Sequence, residues 1–389
     1  MNERLAWAYL SRVVEGPSRP LQALLSAGRC AEEIAHGVRT RAGWVGPLLR
    51  ETEARHGWDR AAEDLETAER LGARLIARGD DEWPAEEFDS AFGFAATGIS
   101  EHLRTYQSDA VAPHALWVRG HALAPLLARS VAIVGTRALS GYGKAATEQV
   151  VSELASQKWT IVSGGAVGVD AVAHRAALVT GTSTVVVAAC GLDRAYPKEN
   201  AELFGTIASH PKGGAIVSEY PPGTTPQRHR FLTRNRLVAA LSQGTVVVEA
   251  AWRSGALNTL SWAEGLGRVS MAVPGPVTST NSLGCHRRIR DGRAQLVTGG
   301  ADIRALLEAV GAVDPDGQYE LAFAPDEVQV LSRNELRIFD ALPPSGEMPT
   351  EQLARAAGMT IPLCVTILVD LNRRGVVRRV GNAWERVEH

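Results

Sequence analysis

The residues best suited to chemistry on a polyanion lie between Arg228 and Thr259. Arg228, His229, Arg230, Arg234 and Arg236 surround one aromatic, Phe231, and Asn235 sits among them. A guanidinium group forks onto phosphate oxygens through two parallel hydrogen bonds, and an aromatic face stacks on a base. Leu237, Val238 and Leu241 follow at helical spacing, and Thr245–Val248 is a β-branched run that fits a strand buried on both faces. It ends in Glu249 and a loop with Ser254-Gly255 and Asn258-Thr259. Positive charge is thus expected beside the end of a buried strand, where open α/β sheets bind ligands. The stretch reads as the floor of a phosphate-rich site, and a solvated basic face is the competing reading.

Other segments place chemistry at strand ends. Val131–Val134 runs into Gly135-Thr136-Arg137, which offers approachable amides, a hydroxyl and a charge. Thr160–Val162 runs into Ser163-Gly164-Gly165-Ala166-Val167-Gly168, followed by a helical pattern, an arrangement that suits anions. It is neither GxGxxG nor a P-loop. Asp170 falls in that helix's first turn, where the dipole favours it, and His174-Arg175 are expected to be solvated. After Thr184–Ala188 comes Tyr196-Pro197-Lys198-Glu199-Asn200, where Lys198 could meet a phosphate and Tyr196 a base. Pro221, Pro222 and Pro226 stiffen the approach to Arg228, Arg230 and Phe231. A structural tight turn explains each short motif singly just as well. Cys285-His286 lacks the partner spacing of a metal site, so no metal and no cofactor is expected.

The elements that must position these residues follow from the alternation. Val131–Val134, Thr160–Val162, Thr184–Ala188, Ala215–Val217, Thr245–Val248 and Val269–Val273 read as strands separated by helices such as Lys144–Leu154. That pattern predicts an α/β fold, an extended Rossmann-like, doubly wound parallel core over residues 78–312. Residues 1–77 read as an all-helical domain of the SAM or helix-hairpin-helix kind, with Glu51–Ala77 rich in helix formers. Residues 80–112 carry few cues. Residues 313–328 read as a linker. Over 329–389, three short helices and a hairpin around Gly381 have the order of a winged helix, with Arg374, Arg378 and Arg379 on a solvated wing.

Composition narrows the class. The 389 residues are 45% hydrophobic and 22% charged, with a formal net charge of -2, which excludes a uniformly basic coat but not a local patch. The four cysteines are far apart and read as reduced thiols of a cytoplasmic protein. No apolar run approaches membrane-spanning length and no signal peptide is visible.

In this order, VAIVGTR, IVSGGAVGVDAVAH, CGLDRAYPKEN, VSEYPPGTTP, FLTRNRLVAALS, VVVEAAWRSGALNT and VPGPV resemble the DNA processing protein A family, also called DprA or Smf. The match spans about residues 116–297. It implies an extended Rossmann domain with helical and winged-helix flanks. It also implies a non-enzymatic, homodimeric single-stranded DNA binder that protects incoming DNA and helps load the RecA recombinase during natural transformation. Single-stranded-DNA-binding protein is a further implied partner. The implied DNA contacts fall on Gly135, Thr136, Arg137, Gly165, Arg228–Phe231 and Asn258-Thr259. Two stretches depart from the family pattern: Trp83-Pro84 stands for a longer Tyr-Pro segment, and Asp291-Gly292-Arg293 adds a charge. The alternatives are an enzyme resembling nucleoside-monophosphate phosphoribohydrolases, with Glu249 as base, and a regulator acting through the winged helix. The first lacks the expected glycine density at Ser254–Thr259, and the second leaves the arginine-rich core motifs unexplained.

Overall fold

Short β-branched runs build the centre of the molecule. The computed structural model describes residues 1–100, 107–309, 312–313, 328 and 330–387. It divides into two units, Met1–Val313 and Asp314–His389. In the first, nine strands form one sheet: β1 (Ala73–Ala77), β2 (Ala115–Gly120), β3 (Ser130–Val134), β4 (Thr160–Ser163), β5 (Thr184–Ala188), β6 (Gly214–Ser218), β7 (Gly244–Val247), β8 (Val269–Ala272) and β9 (Gln295–Leu296). Their order is β1-β2-β6-β5-β4-β3-β7-β8-β9. From β6 to β9 all neighbours are parallel, while β2 is antiparallel to both β6 and β1. The chain steps from β3 towards β6, then returns to lay β7 on the other side of β3. The strand order therefore reverses between β3 and β7, which is where such sheets open a crevice at their carboxyl ends.

The helices bordering this sheet and its loops include α1 (Glu3–Val13), α2 (Ala85–Ala96), α3 (Gly141–Ser156), α4 (Val169–Thr180), α5 (Arg228–Ala240), α6 (Ala256–Gly265) and α7 (Leu283–Arg290). Every residue of β3, β4, β6 and β7 is buried, as two covered faces require. On one face, Val134, Val162 and Val187 pack with Leu237 and Val238 of α5 and Leu241 at its end, Leu260 and Trp262 of α6, and Phe88 and Phe92 of α2. On the other, Val131, Ile133 and Ile161 pack with Val150, Val151 and Leu154 of α3 and Val169 and Ala173 of α4. The two-residue alternation of each strand divides these sets.

The N-terminal residues differ from expectation in one respect. Ala73–Ala77 is not the end of a helix but the edge strand β1, with Leu75 opposite Trp117 and Ile76 opposite Leu116. Pairing with β2 overrides the helical propensity of the Ala- and Leu-rich segment. β2 itself and α2 fall in or beside the stretch that carried few cues, of which 101–106 lie outside the described residues. Asn2 caps α1 by accepting the Leu5 amide at 2.9 Å, and Trp7, Tyr9, Leu10 and Val13 bury one face against a cluster that includes Leu75, Ala115 and Trp117. The Trp117 indole donates to Ser11 Oγ at 3.0 Å. The helical N-terminus and the sheet therefore share a core.

In the second unit, helices Arg333–Ala341, Thr350–Ala356 and Ile361–Arg373 pack on β10 (Met348–Pro349), β11 (Val377–Val380) and β12 (Ala383–Arg386) around Ile338, Leu353, Leu368, Leu371 and Trp384. The sheet order is β10-β12-β11, and the elements follow the winged-helix order. Ser332 and Glu335 close a capping box on the first helix. Most of the expected linker 313–328 lies outside the described residues. Among the described residues no single helix is long and apolar enough to cross a membrane, and no cluster of His, Cys, Asp or Glu could hold a metal.

Candidate nucleic-acid interface

The loops leaving β3, β4 and β5 meet the first turn of α5 around a cleft of about 500 Å³. Arg137, Gly164, Ala166, Val167, Tyr196, Pro197, Lys198, Glu199 and Phe231 line it. The Tyr196 and Phe231 rings lie 5.3 Å apart, tilted by 47°. The guanidinium carbons of Arg137 and Arg234 sit 5.8 and 5.9 Å from the Phe231 centroid, close enough for each cation to feel the ring's negative face. Tyr196 is 42% exposed, and Arg137 and Lys198 are exposed. Among the described residues neither cation has a carboxylate partner, although Glu199 stands in the same lining. Unpaired cations beside an aromatic pair can neutralise phosphate and hold a base.

Backbone geometry fixes these loops. The Thr136 amide donates to Glu249 O at 2.7 Å, tying the ends of β3 and β7 where the strand order reverses. Gly164 must lack a side chain, because a Cβ there would stand 2.7 Å from the Arg234 guanidinium. Gly168, at φ +89, would place one 2.2 Å from Thr136 O. Gly165 is also in the left-handed region, packed against Phe204 and Val186, and Gly135 abuts Val169. Asn200 Nδ2 donates to Gly165 O at 3.1 Å, and the Ala166 amide donates to Asp170 at 3.3 Å. Burial raises the Asp170 pKa, opposed first by the nearby Arg234 charge. Asp170 therefore holds the loop from below rather than facing a ligand.

The arginine cluster does not act as one surface. All its members fall on α5, and the helix divides them. Arg228 is exposed and unpaired among the described residues. Arg230 is buried, with Nε 2.7 Å from Glu15 and a further bond to Thr225 O. Glu15 also holds Arg55 and lies 3.6 Å from His229; burial raises its pKa, and Arg230 and Arg55 outweigh that and lower it. Arg234 is buried, donating to Gly164 O at 2.6 Å and to Val187 O. Arg236 has no exposed surface and pairs with buried Glu219 at 2.5 Å. The expectation that Arg230, Arg234 and Arg236 offer their guanidinium groups to phosphate is therefore corrected: they hold the floor together, because a charge inside a protein needs a partner. Glu219 has its pKa raised by burial.

The remaining expected residues lie beside the cleft rather than in its lining. Asn235 Nδ2 donates to Asn258 Oδ1 at 3.1 Å, linking α5 to α6. Ser254 Oγ accepts the Ala256 amide at 3.3 Å, Gly255 is exposed, and Thr259 is buried. Glu249 accepts from the Ser140 amide at 3.1 Å and from Ser140 Oγ at 2.6 Å, so it caps α3 instead of standing ready as a base. His174 is not solvated. It is fully buried, with Nδ1 donating to Thr184 Oγ1 at 2.7 Å, and burial pushes its pKa down to about 3. Two contributors were missed. Asn200 was legible in the Tyr196–Asn200 motif, whereas nothing in the local pattern marks Glu15.

The DNA recombination-mediator protein A family model matches residues 74–308. A Mycobacterium tuberculosis protein that carries the name DNA processing protein DprA is 44% identical over 381 residues, covering 97% of this chain and 93% of its own length. Protein Smf of Escherichia coli is 36% identical over 277 residues, or 71% and 72% of the two chains. Among solved structures, the X-ray structure of DNA processing protein A from Streptococcus pneumoniae superposes with a TM-score of 0.61 at 28% identity, covering 79% of this chain and 100% of that one. With the strand-end motifs lying inside the matched segment, the chain belongs to the DNA recombination-mediator protein A (DprA/Smf) family.

Proposed function

We propose that this protein is a single-stranded DNA-binding recombination mediator that grips its strand without cutting it. One observation carries the reading: two unpaired cations, Arg137 and Lys198, share a cleft with the Tyr196–Phe231 aromatic pair at the carboxyl edge of the sheet. Phosphates meet Arg137, Lys198 and the amides of Gly135–Thr136 and Gly164–Gly165, and a base meets Tyr196 or Phe231. A duplex keeps its bases stacked inside, so a cleft that rewards an open base face favours single strands, with little sequence preference.

On this reading the bound strand is protected and passed to the RecA recombinase in the cytoplasm during natural transformation. The protein acts as a homodimer and meets DNA already coated by single-stranded-DNA-binding protein. The family's description as a recombination mediator supports the role. The test is fluorescence anisotropy with matched single- and double-stranded oligonucleotides, followed by RecA filament assembly on coated single strands. The reading expects tighter single-strand binding, intact DNA afterwards and faster filament assembly. Equal or tighter duplex binding contradicts it.

A further inference from the structure

Beyond the cleft, the loop between β7 and α6 carries an aromatic that the cleft's DNA contacts do not use. Trp252 is 48% exposed, and the Arg287 guanidinium carbon of α7 sits 4.4 Å from its ring centroid. Arg287 is itself exposed and bonded to Asp291 at 3.3 Å. Next to Trp252, Arg253 is exposed and has no carboxylate partner among the described residues. An exposed indole with a cation over it and a free guanidinium beside it repeats the chemistry of the cleft, where two guanidinium groups lie within 5.9 Å of the Phe231 centroid.

The fold joins the two places. Ala138, the residue after Arg137, accepts a hydrogen bond from Asn281 Nδ2 at 3.0 Å. From there the chain enters α7, where the Gly284 amide donates to Ala250 O at 2.8 Å, in the loop that carries Trp252. Both aromatic sites stand at the carboxyl edge of the same parallel strands. The cleft closes on the loop after β5, and Trp252 follows β7, three strand spacings away in the order β5-β4-β3-β7. At about 4.8 Å per spacing the separation along the edge is about 14 Å. That is roughly four nucleotides at the ~3.4 Å axial step of a stacked strand, more than a trinucleotide spans.

We infer that Trp252, with Arg253 and Arg287, is a second base-stacking and phosphate-binding subsite, so that a single strand entering the Tyr196–Phe231 cleft runs across the sheet edge past Arg137 to Trp252. The inference rests on the single-stranded DNA reading of the cleft. It identifies Trp252 as the residue that gives longer strands their added affinity.

The test is anisotropy competition with a thymidine trinucleotide and a dodecanucleotide against the full chain and three variants. Trp252→Ala is expected to weaken dodecanucleotide binding about fivefold or more, the lower end of what one base–aromatic stack contributes, and to leave trinucleotide binding unchanged. Trp252→Phe, which keeps a stacking face, is expected to restore most of the loss. Arg137→Ala is expected to weaken both lengths. If Trp252→Ala binds the dodecanucleotide like the parent, or loses the same factor on both lengths, the second subsite is overturned. If Arg137→Ala binds both lengths like the parent, the cleft reading itself fails and the extension fails with it.

Discussion

Arg137 and Arg236 carry the same side chain in the same unit and meet opposite fates. Arg137 is exposed at the rim, touches an aromatic ring and has no carboxylate partner among the described residues. Arg236 is sealed one layer below against Glu219, and Arg230 is tied to Glu15. The rim holds charge that a ligand can neutralise, whereas the layer beneath holds charge already neutralised. On the proposed reading, an arginine is open to phosphate only where no buried carboxylate already neutralises it. On the wing of the second unit, two of the three arginines Arg374, Arg378 and Arg379 are likewise paired. Arg378 Nε is 2.7 Å from Glu385, Arg374 is 2.7 Å from Glu335, and Arg379 lies over Trp384. The helix Ile361–Arg373 exposes Ile361, Leu363, Val365 and Val369, with Arg373 exposed in its last turn.

If this division is right, variants of the lower layer change stability and variants of the rim change binding. The largest effect belongs to Arg236→Met. It leaves Glu219 buried without its partner and should cost about 3–5 kcal/mol in urea unfolding. A loss confined to DNA affinity would break the comparison. Next comes acid. His174 titrates at about 3 in the folded protein and at about 6.5 when unfolded. The unfolded chain therefore binds more protons between those values. Stability should be full above about pH 6.5 and fall as pH drops towards about 3. His174→Asn, which keeps a donor for Thr184, should flatten part of that slope, and an unchanged curve would show that the histidine is not the titrating group.

At the rim, Phe231→Ala should lose about 1–3 kcal/mol of single-strand affinity, one stacked base, with no change in salt dependence. The smallest expected effect tests the join between the layers. Glu15→Gln should weaken binding by about 1 kcal/mol or less, because Glu15 holds Arg230 beside Phe231 and the net worth of one charged hydrogen bond is of that order. Combined with Phe231→Ala it should add less than the sum, since Arg230 and Phe231 are neighbours in the first turn of α5. Full additivity would separate Glu15 from the site.

Much of this arrangement was legible in the chain. Runs such as Thr184–Ala188 mark buried parallel strands, and residues at their ends, Arg137, Tyr196 and Lys198, do converge on one cleft with Phe231. What was not legible depends on partners distant in sequence. Arg236 reads as a phosphate contact until Glu219 folds against it, and nothing near Arg230 points to Glu15. Periodicity counts a charged side chain as outward-facing, so an internal ion pair cannot be seen in it. His174 was misread for the same reason, since Thr184, its partner, lies in the next strand. β1 was hidden because an edge strand takes its identity from β2, and its own residues favour a helix.

The central claim is that a phosphate chain is gripped by the unpaired rim cations and not by the arginine cluster as a whole. Salt titration of single-strand affinity tests it most directly, comparing the parent with the double variant Arg137→Ala, Lys198→Ala. Each phosphate neutralised adds about 0.7 to the slope of log affinity against log salt on single strands. The account predicts a slope shallower by about 1.4, with weaker binding and unchanged thermal stability. An unchanged slope with parental affinity would contradict it.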